Sequence, residues 1–198
     1  MTGPPDEDVG RAADAALRGE LVVLPTDTVY GIGTRPDDPA ATARLFQAKA
    51  RPRDLELPVL VPSVEWAERV GRFDATARLL AGRHWPGALT IVVPRTDAGA
   101  GWDLGGDPRT VGLRVPDHPV ALALLERTGP LAVTSANLSG HPTPATGREV
   151  AALFGPLVSV VLDAGAPLTN RPSTVVAVVE GNVRVLRRGA VTPMLDSA

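Results

Sequence analysis

Eight apolar runs of four to six residues alternate with stretches of helical period along this 198-residue chain, and that alternation restricts the fold more than any other feature. Leu21–Leu24, closed by Pro25, reads as a strand buried on both faces. Further strands are predicted at 57–61, 89–93, 111–115, 131–134, 158–162, 174–179 and 183–186, with helices over 6–18, 40–48, 64–70, 74–83, 119–127 and 146–153. Strands and helices alternate through the middle. The last two strands instead adjoin across a hairpin at Glu180-Gly181-Asn182, so the sheet is expected to be mixed. Thr26–Thr34 reads as a polar, glycine-containing loop, and 96–109, rich in Gly and Asp, as a mobile surface loop. With 44% hydrophobic residues and no repeat or linker, the expectation is one α/β domain with an open mixed sheet and flanking helices.

Composition removes several chemistries. The chain has no cysteine, which excludes disulfides, thiolate metal sites and cysteine nucleophiles. The first nine residues are polar and acidic, and no apolar run approaches the roughly 20 residues of a membrane span. A soluble cytoplasmic protein with no membrane partner is expected. A formal net charge of −2 argues against coating nucleic acid through bulk positive charge, while leaving room for a local basic cleft. Of the 20 basic residues only Lys49 is a lysine. That lysine suggests a position suited to a compact ammonium on a flexible stem.

Five segments could carry chemistry. Lys49, Arg51 and Arg53 place three cations within five residues where Pro52 stops a helix, which suits a polyanion and equally suits a solvated helix end. Thr134-Ser135-Ala136-Asn137-Leu138-Ser139-Gly140 follows a predicted strand and reads either as a ligand loop or as an ordinary turn. Thr26–Gly31, which includes Thr28 and the sole tyrosine, Tyr30, could bind a small polar substrate or be a plain loop. Arg114, on the strand 111–115, needs an anionic partner if buried: a ligand carboxylate or a structural acid such as Asp117. Arg187-Arg188-Gly189 could meet phosphate or charge an exposed edge. The three histidines, His84, His118 and His141, show no metal-site spacing, and the chain has no Walker loop, nucleophile elbow or dinucleotide fingerprint.

Taken in order, Leu24-Pro25-Thr26-Asp27-Thr28-Val29-Tyr30-Gly31, Lys49-Ala50-Arg51-Pro52, Trp85-Pro86-Gly87, Val115–Pro119, Ser135-Ala136-Asn137 with Ser139-Gly140, and Ser173–Val176 resemble the YrdC family. The resemblance spans about residues 10–192, leaving 1–9 and 193–198 as terminal tails. It implies an open twisted α/β sheet with a basic concave face. It also implies a synthase that combines L-threonine, bicarbonate or CO2, and ATP into threonylcarbamoyl-AMP with release of pyrophosphate. The adenylate then passes to a partner enzyme that modifies tRNA.

By the same resemblance, Lys49 and Arg51 are the catalytic pair. Lys49, Arg51, Ser135, Asn137, Thr143 and Arg187 would meet ATP, and Thr28, Tyr30, Arg114 and Ser173 would meet threonine. Magnesium would travel on the ATP phosphates with no protein metal site and no organic cofactor. Direct contact with tRNA or double-stranded RNA is a further implication. The sequence departs from the family pattern where a histidine is usual, reading Leu57–Pro62, and has Pro172 before Ser173 and Arg188 after Arg187. The C-terminal domain of longer relatives is not expected, so the site should be more open. Two other readings use the same residues: a carbamoyl-adenylate transferase, and a double-stranded RNA module without catalysis.

Overall fold

The computed structural model describes residues 6–166, Leu168 and residues 171–194. Of the expected tails, residues 1–5 and 195–198 lie outside the described residues. Nine strands form one mixed sheet: β1 (Val22–Leu24), β2 (Gly31–Thr34), β3 (Val59–Leu60), β4 (Leu89–Pro94), β5 (Thr110–Arg114), β6 (Leu131–Ser135), β7 (Val160–Val161), β8 (Thr174–Val179) and β9 (Asn182–Arg187). Their order is β7-β1-β2-β6-β3-β5-β4-β8-β9. Pairs β1–β7, β3–β5 and β4–β8 are parallel and the other five antiparallel, as the end hairpin led us to expect. Glu180 and Gly181 form that hairpin's two-residue turn, both with positive φ.

Six helices flank the sheet: α1 (Asp6–Leu17), α2 (Pro39–Ala48), α3 (Val64–Val70), α4 (Ala75–His84), α5 (Pro119–Thr128) and α6 (Gly147–Phe154). Each starts where local chemistry starts it. Asp38 caps α2 ahead of Pro39, Ser63 caps α3, Asp74 caps α4, and Thr146 with Glu149 forms a capping box on α6.

Side-chain alternation along the strands splits the core in two. Ile32, Val59, Ile91, Val111, Leu113 and Val176 belong to the larger cluster, together with residues of α2, α3, α4 and α6. Val22, Leu24, Leu60, Leu131 and Val133 face the other way and pack with α1 and α5. Those two helices cover only one half of their face. Over the other half, the outward residues Thr90, Val92, Gly112 and Val175 are left to line a cavity.

Two expectations change. The stretch read as a loop over Thr26–Thr34 contains β2, which lies between β1 and β6. Its glycines hide a strand signal and serve a close approach: a Cβ at Gly31 would lie 2.5 Å from Val133 Cγ1, and one at Gly33 would lie 2.6 Å from Val133 Cγ2. The segment 96–109 is tied down, because Leu104 is buried and Trp102 packs on the core. Arg95 also donates to the Trp102 carbonyl at 2.7 Å. Among the described residues no helix is long and apolar enough to cross a membrane.

Replacing Gly33 with alanine forces a methyl group onto Val133 and the Ala132 carbonyl. We expect Gly33→Ala to destabilise the fold by about 1–3 kcal/mol, measured by denaturant unfolding, because both neighbours belong to a central strand.

Candidate active site

The uncovered half of the sheet forms a cavity of about 320 Å³. Its floor is apolar, from Leu60, Val92, Val133 and Val175, and its polar groups arrive from loops and strand ends: Thr26 and Thr28 after β1, Arg51 and Glu56 after α2, Ser135 at the end of β6, Ser173 before β8 and Arg187 at the end of β9. An apolar body with a few convergent polar groups is the usual form of a small-molecule site.

Arg114 is 5% exposed and reaches the cavity from β5. Its guanidinium donates to the Gly87 carbonyl at 2.9 Å, to Thr28 Oγ1 at 3.0 Å and to the Asp27 carboxylate. The structural acid is thus Asp27 rather than Asp117, whose backbone N–H donates to the same Asp27 oxygen at 3.0 Å. Burial lowers the Arg114 pKa and Asp27 opposes that shift. Thr28 Oγ1 also lies 2.9 Å from Thr26 Oγ1, so the first loop is fixed before any ligand arrives.

Two further guanidinium groups face the cavity with only neutral oxygen partners. Arg51 donates to the carbonyls of Leu55 and Glu56 at 3.0 and 2.9 Å. Arg187 donates to the Ser173 carbonyl at 2.8 Å and to Ser173 Oγ at 3.1 Å. Among the described residues neither has a carboxylate at ion-pair distance. Burial lowers the pKa of both, and the charge of Arg187 lowers that of Arg51 further. Clustered cations without carboxylate partners are what a polyanion relieves.

Lys49 sits elsewhere. It caps α2, is 1% exposed and does not line the cavity. Its Nζ donates to the carbonyls of Ser135 and Asn137 and, at 3.1 Å, to Asn137 Oδ1, which also accepts from Ser135 Oγ. Asn137 in turn donates to the carbonyls of Leu138 and His141. Lys49 therefore fastens the loop that presents Ser135. Burial, helped by Arg51, pulls its pKa down to about 7. Tyr30 is wholly buried and also outside the cavity lining, its hydroxyl donating to Asp163 at 2.8 Å and accepting from the Ala164 N–H at 2.9 Å. Thr143, partly buried in the segment before α6, does not line the cavity.

Sequence reasoning passed over Glu56, which lines the cavity and faces Arg95 at 3.6 Å. The available signal was a lone acid between Leu55 and Leu57, immediately before an apolar run. Among the described residues no group of three or more His, Asp or Glu side chains comes together to hold a metal. His84 and His118 each accept a backbone N–H, from Met194 and Val120.

Comparison with known proteins matches this architecture. The Sua5–YciO–YrdC family model, described as "Telomere recombination", covers residues 14–189. The chain belongs to the Sua5–YciO–YrdC family. It is 46% identical over 182 residues to a putative threonylcarbamoyl-AMP synthase of Mycobacterium tuberculosis strain H37Rv, covering 91% of this chain and 83% of that protein. Pyrococcus abyssi Sua5 complexed with L-threonine superposes with a TM-score of 0.84 at 34% identity, covering 93% of this chain and 55% of that one. Escherichia coli YciO superposes with a TM-score of 0.85 at 25% identity, covering 94% and 91%. The chain thus spans most of the mycobacterial relative and about half of the Pyrococcus protein.

The role of Lys49 as a fastener is checked by Lys49→Met, which keeps the stem and removes three donors. Leaving the Ser135 and Asn137 carbonyls unmatched should cost on the order of 1–3 kcal/mol, seen as a drop in Tm of roughly 2–10 °C. Glu56 gives a pH test of opposite character. Burial raises its pKa to about 7, so its contribution to stability is full below the unfolded carboxylate pKa and is lost as pH rises through about 7. Thermal melts at pH 5 and pH 8 should therefore differ less in Glu56→Gln than in the wild type.

Proposed function

We propose that this chain is an L-threonylcarbamoyladenylate synthase. As a nucleotidyltransferase it would join L-threonine, bicarbonate or CO2, and ATP into threonylcarbamoyl-AMP and pyrophosphate, for a downstream enzyme that modifies tRNA in the cytoplasm. One observation carries the reading. Three guanidinium groups, Arg51, Arg114 and Arg187, converge on one cavity, and among the described residues Arg114 alone of the three has a carboxylate partner.

The reaction needs such an arrangement. A carbamate must approach the α-phosphate of ATP although both are anionic, so the barrier lies in holding and screening charge. Arg114, with Thr28 beside it and Ser173 across the cavity, suits the carboxylate and hydroxyl of threonine. Arg51 and Arg187 suit the phosphates, with Ser135 supplying a hydroxyl at the rim. Magnesium would enter with ATP, adding charge neutralisation on the phosphate oxygens. Lys49 and Asn137 act on this reading by holding the Ser135 loop in place. No protein nucleophile is required. Support for threonine comes from the Pyrococcus relative's complex with that amino acid and from the synthase name of the 46% identical mycobacterial relative.

The test is pyrophosphate release by the purified protein given ATP, bicarbonate and each amino acid in turn. Release should require threonine and bicarbonate together, and ATP hydrolysis indifferent to threonine would overturn the assignment. A second measurement separates the two ends of the site. Arg114→Lys keeps a cation beside Asp27 but loses the planar fork, so calorimetry should show threonine affinity falling about 10-fold or more while ATP affinity stays within about threefold.

A further inference from the structure

Glu56 is held in place with unusual care for a loop carboxylate. Its backbone carbonyl accepts from Arg51 at 2.9 Å, and the chain on either side is pinned, with the Leu57 N–H bonded to the Leu104 carbonyl at 2.8 Å and the Gly106 N–H to the Arg53 carbonyl at 2.9 Å. A Cβ at Gly106 would lie 2.8 Å from Glu56 Cβ, so the glycine turn is pressed against this residue. Glu56 Oε1 is buried and makes no hydrogen bond, and Arg95 Nη2, 3.6 Å away, makes none either. Arg95 spends its other nitrogens on the carbonyls of Thr110, Gly99 and Trp102. The side chain keeps 20% exposure, and Glu56 lines the same cavity as Arg114.

The charged groups around Glu56 come from three places. Arg95, after β4, faces it, and Asp107, paired with Arg109 on the following loop, repels it. Arg114 stands on β5 two residues beyond Gly112, and Glu56, Gly112 and Arg114 all line the one cavity. A guanidinium and a carboxylate lining one cavity offer opposite charges to the two ends of an amino-acid zwitterion.

We propose that Glu56 is a further catalytic residue, the proton acceptor for the ammonium of an amino acid whose carboxylate rests on Arg114. The inference rests on the synthase reading of the cavity. An N–H proton of the substrate passes to the Glu56 carboxylate, giving a neutral amine and a carboxylic acid. The freed lone pair then forms the C–N bond to CO2, whose C=O pair moves onto oxygen, and the second N–H proton leaves to water to give the carbamate. Glu56 returns its proton to water for the next cycle. Its pKa near 7, raised first by burial, lets it both accept and release at neutral pH.

The test is kcat/KM for threonine against pH in the wild type, Glu56→Gln and Glu56→Asp, using ATP- and bicarbonate-dependent pyrophosphate release. In the wild type the value should fall below about pH 7. Glu56→Gln should lose that limb and be about 100-fold slower at pH 7, with ATP affinity within about threefold. Its deficit should shrink above about pH 9, where the substrate amine deprotonates in solution. Glu56→Asp should keep the limb at a reduced rate, and formate should partly rescue Glu56→Ala. A wild-type profile in Glu56→Gln, or an equal deficit at every pH, would overturn the proposal while leaving the synthase reading intact. A wild type that releases no pyrophosphate with threonine would overturn both.

Discussion

One buried ammonium joins the two loops on which the site depends. Lys49 ends α2 and reaches the carbonyls of Ser135 and Asn137, while its own carbonyl accepts the Ser139 N–H at 3.2 Å. The loop that continues from Lys49 carries Arg51 and Glu56, and the loop it grips carries Ser135. Both are therefore referenced to one atom. The long flexible stem lets the amine reach under the loop, and Asn137 completes the joint by accepting from Lys49 and from Ser135. Solvating a cation with carbonyl oxygens and no carboxylate is expensive, so such a group persists where the geometry it fixes is needed.

The cavity it stabilises is electrically tense. Three guanidinium groups share it with Asp54 and a Glu56 whose ionisation is opposed by burial. Asp27 offsets the charge of Arg114, whereas Arg51 and Arg114 both feel the charge of Arg187. The Arg114 end of the cavity is thus compensated and ordered by its own partners. Arg51 and Arg187 keep their charge on carbonyl and hydroxyl partners alone among the described residues.

Much of this architecture could be read from residues alone, and the gaps have physical causes. Helix limits were legible because their signals are local, and the structure places caps at Asp38, Ser63 and Thr146 with Glu149. The strand β2 was not, because Gly31 and Gly33 are chosen by a neighbour, Val133, and neighbours across a sheet are invisible along the chain. The same holds for the site. Arg51, Arg114, Ser135, Ser173 and Arg187 were singled out and do meet at one cavity, whereas Lys49, Asn137, Thr143 and Tyr30 do not line it. The partner of Arg114 was sought nearby at Asp117 and proved to be Asp27, brought in from another loop. Glu56 escaped notice because its character comes from Arg95 and the glycine turn, neither of which is near it in sequence.

Arg187 lies at the end of β9, the outermost strand, whose residues are mostly exposed and which pairs on one side only with β8. Arg114 lies on β5, bonded to a strand on each side. The Arg187 and Arg114 ends of the cavity are thus mounted on supports of unequal stiffness. A peripheral ribbon opens at lower free energy than a central strand, so local fraying would carry Arg187 away from the cavity while Arg114 stays in place.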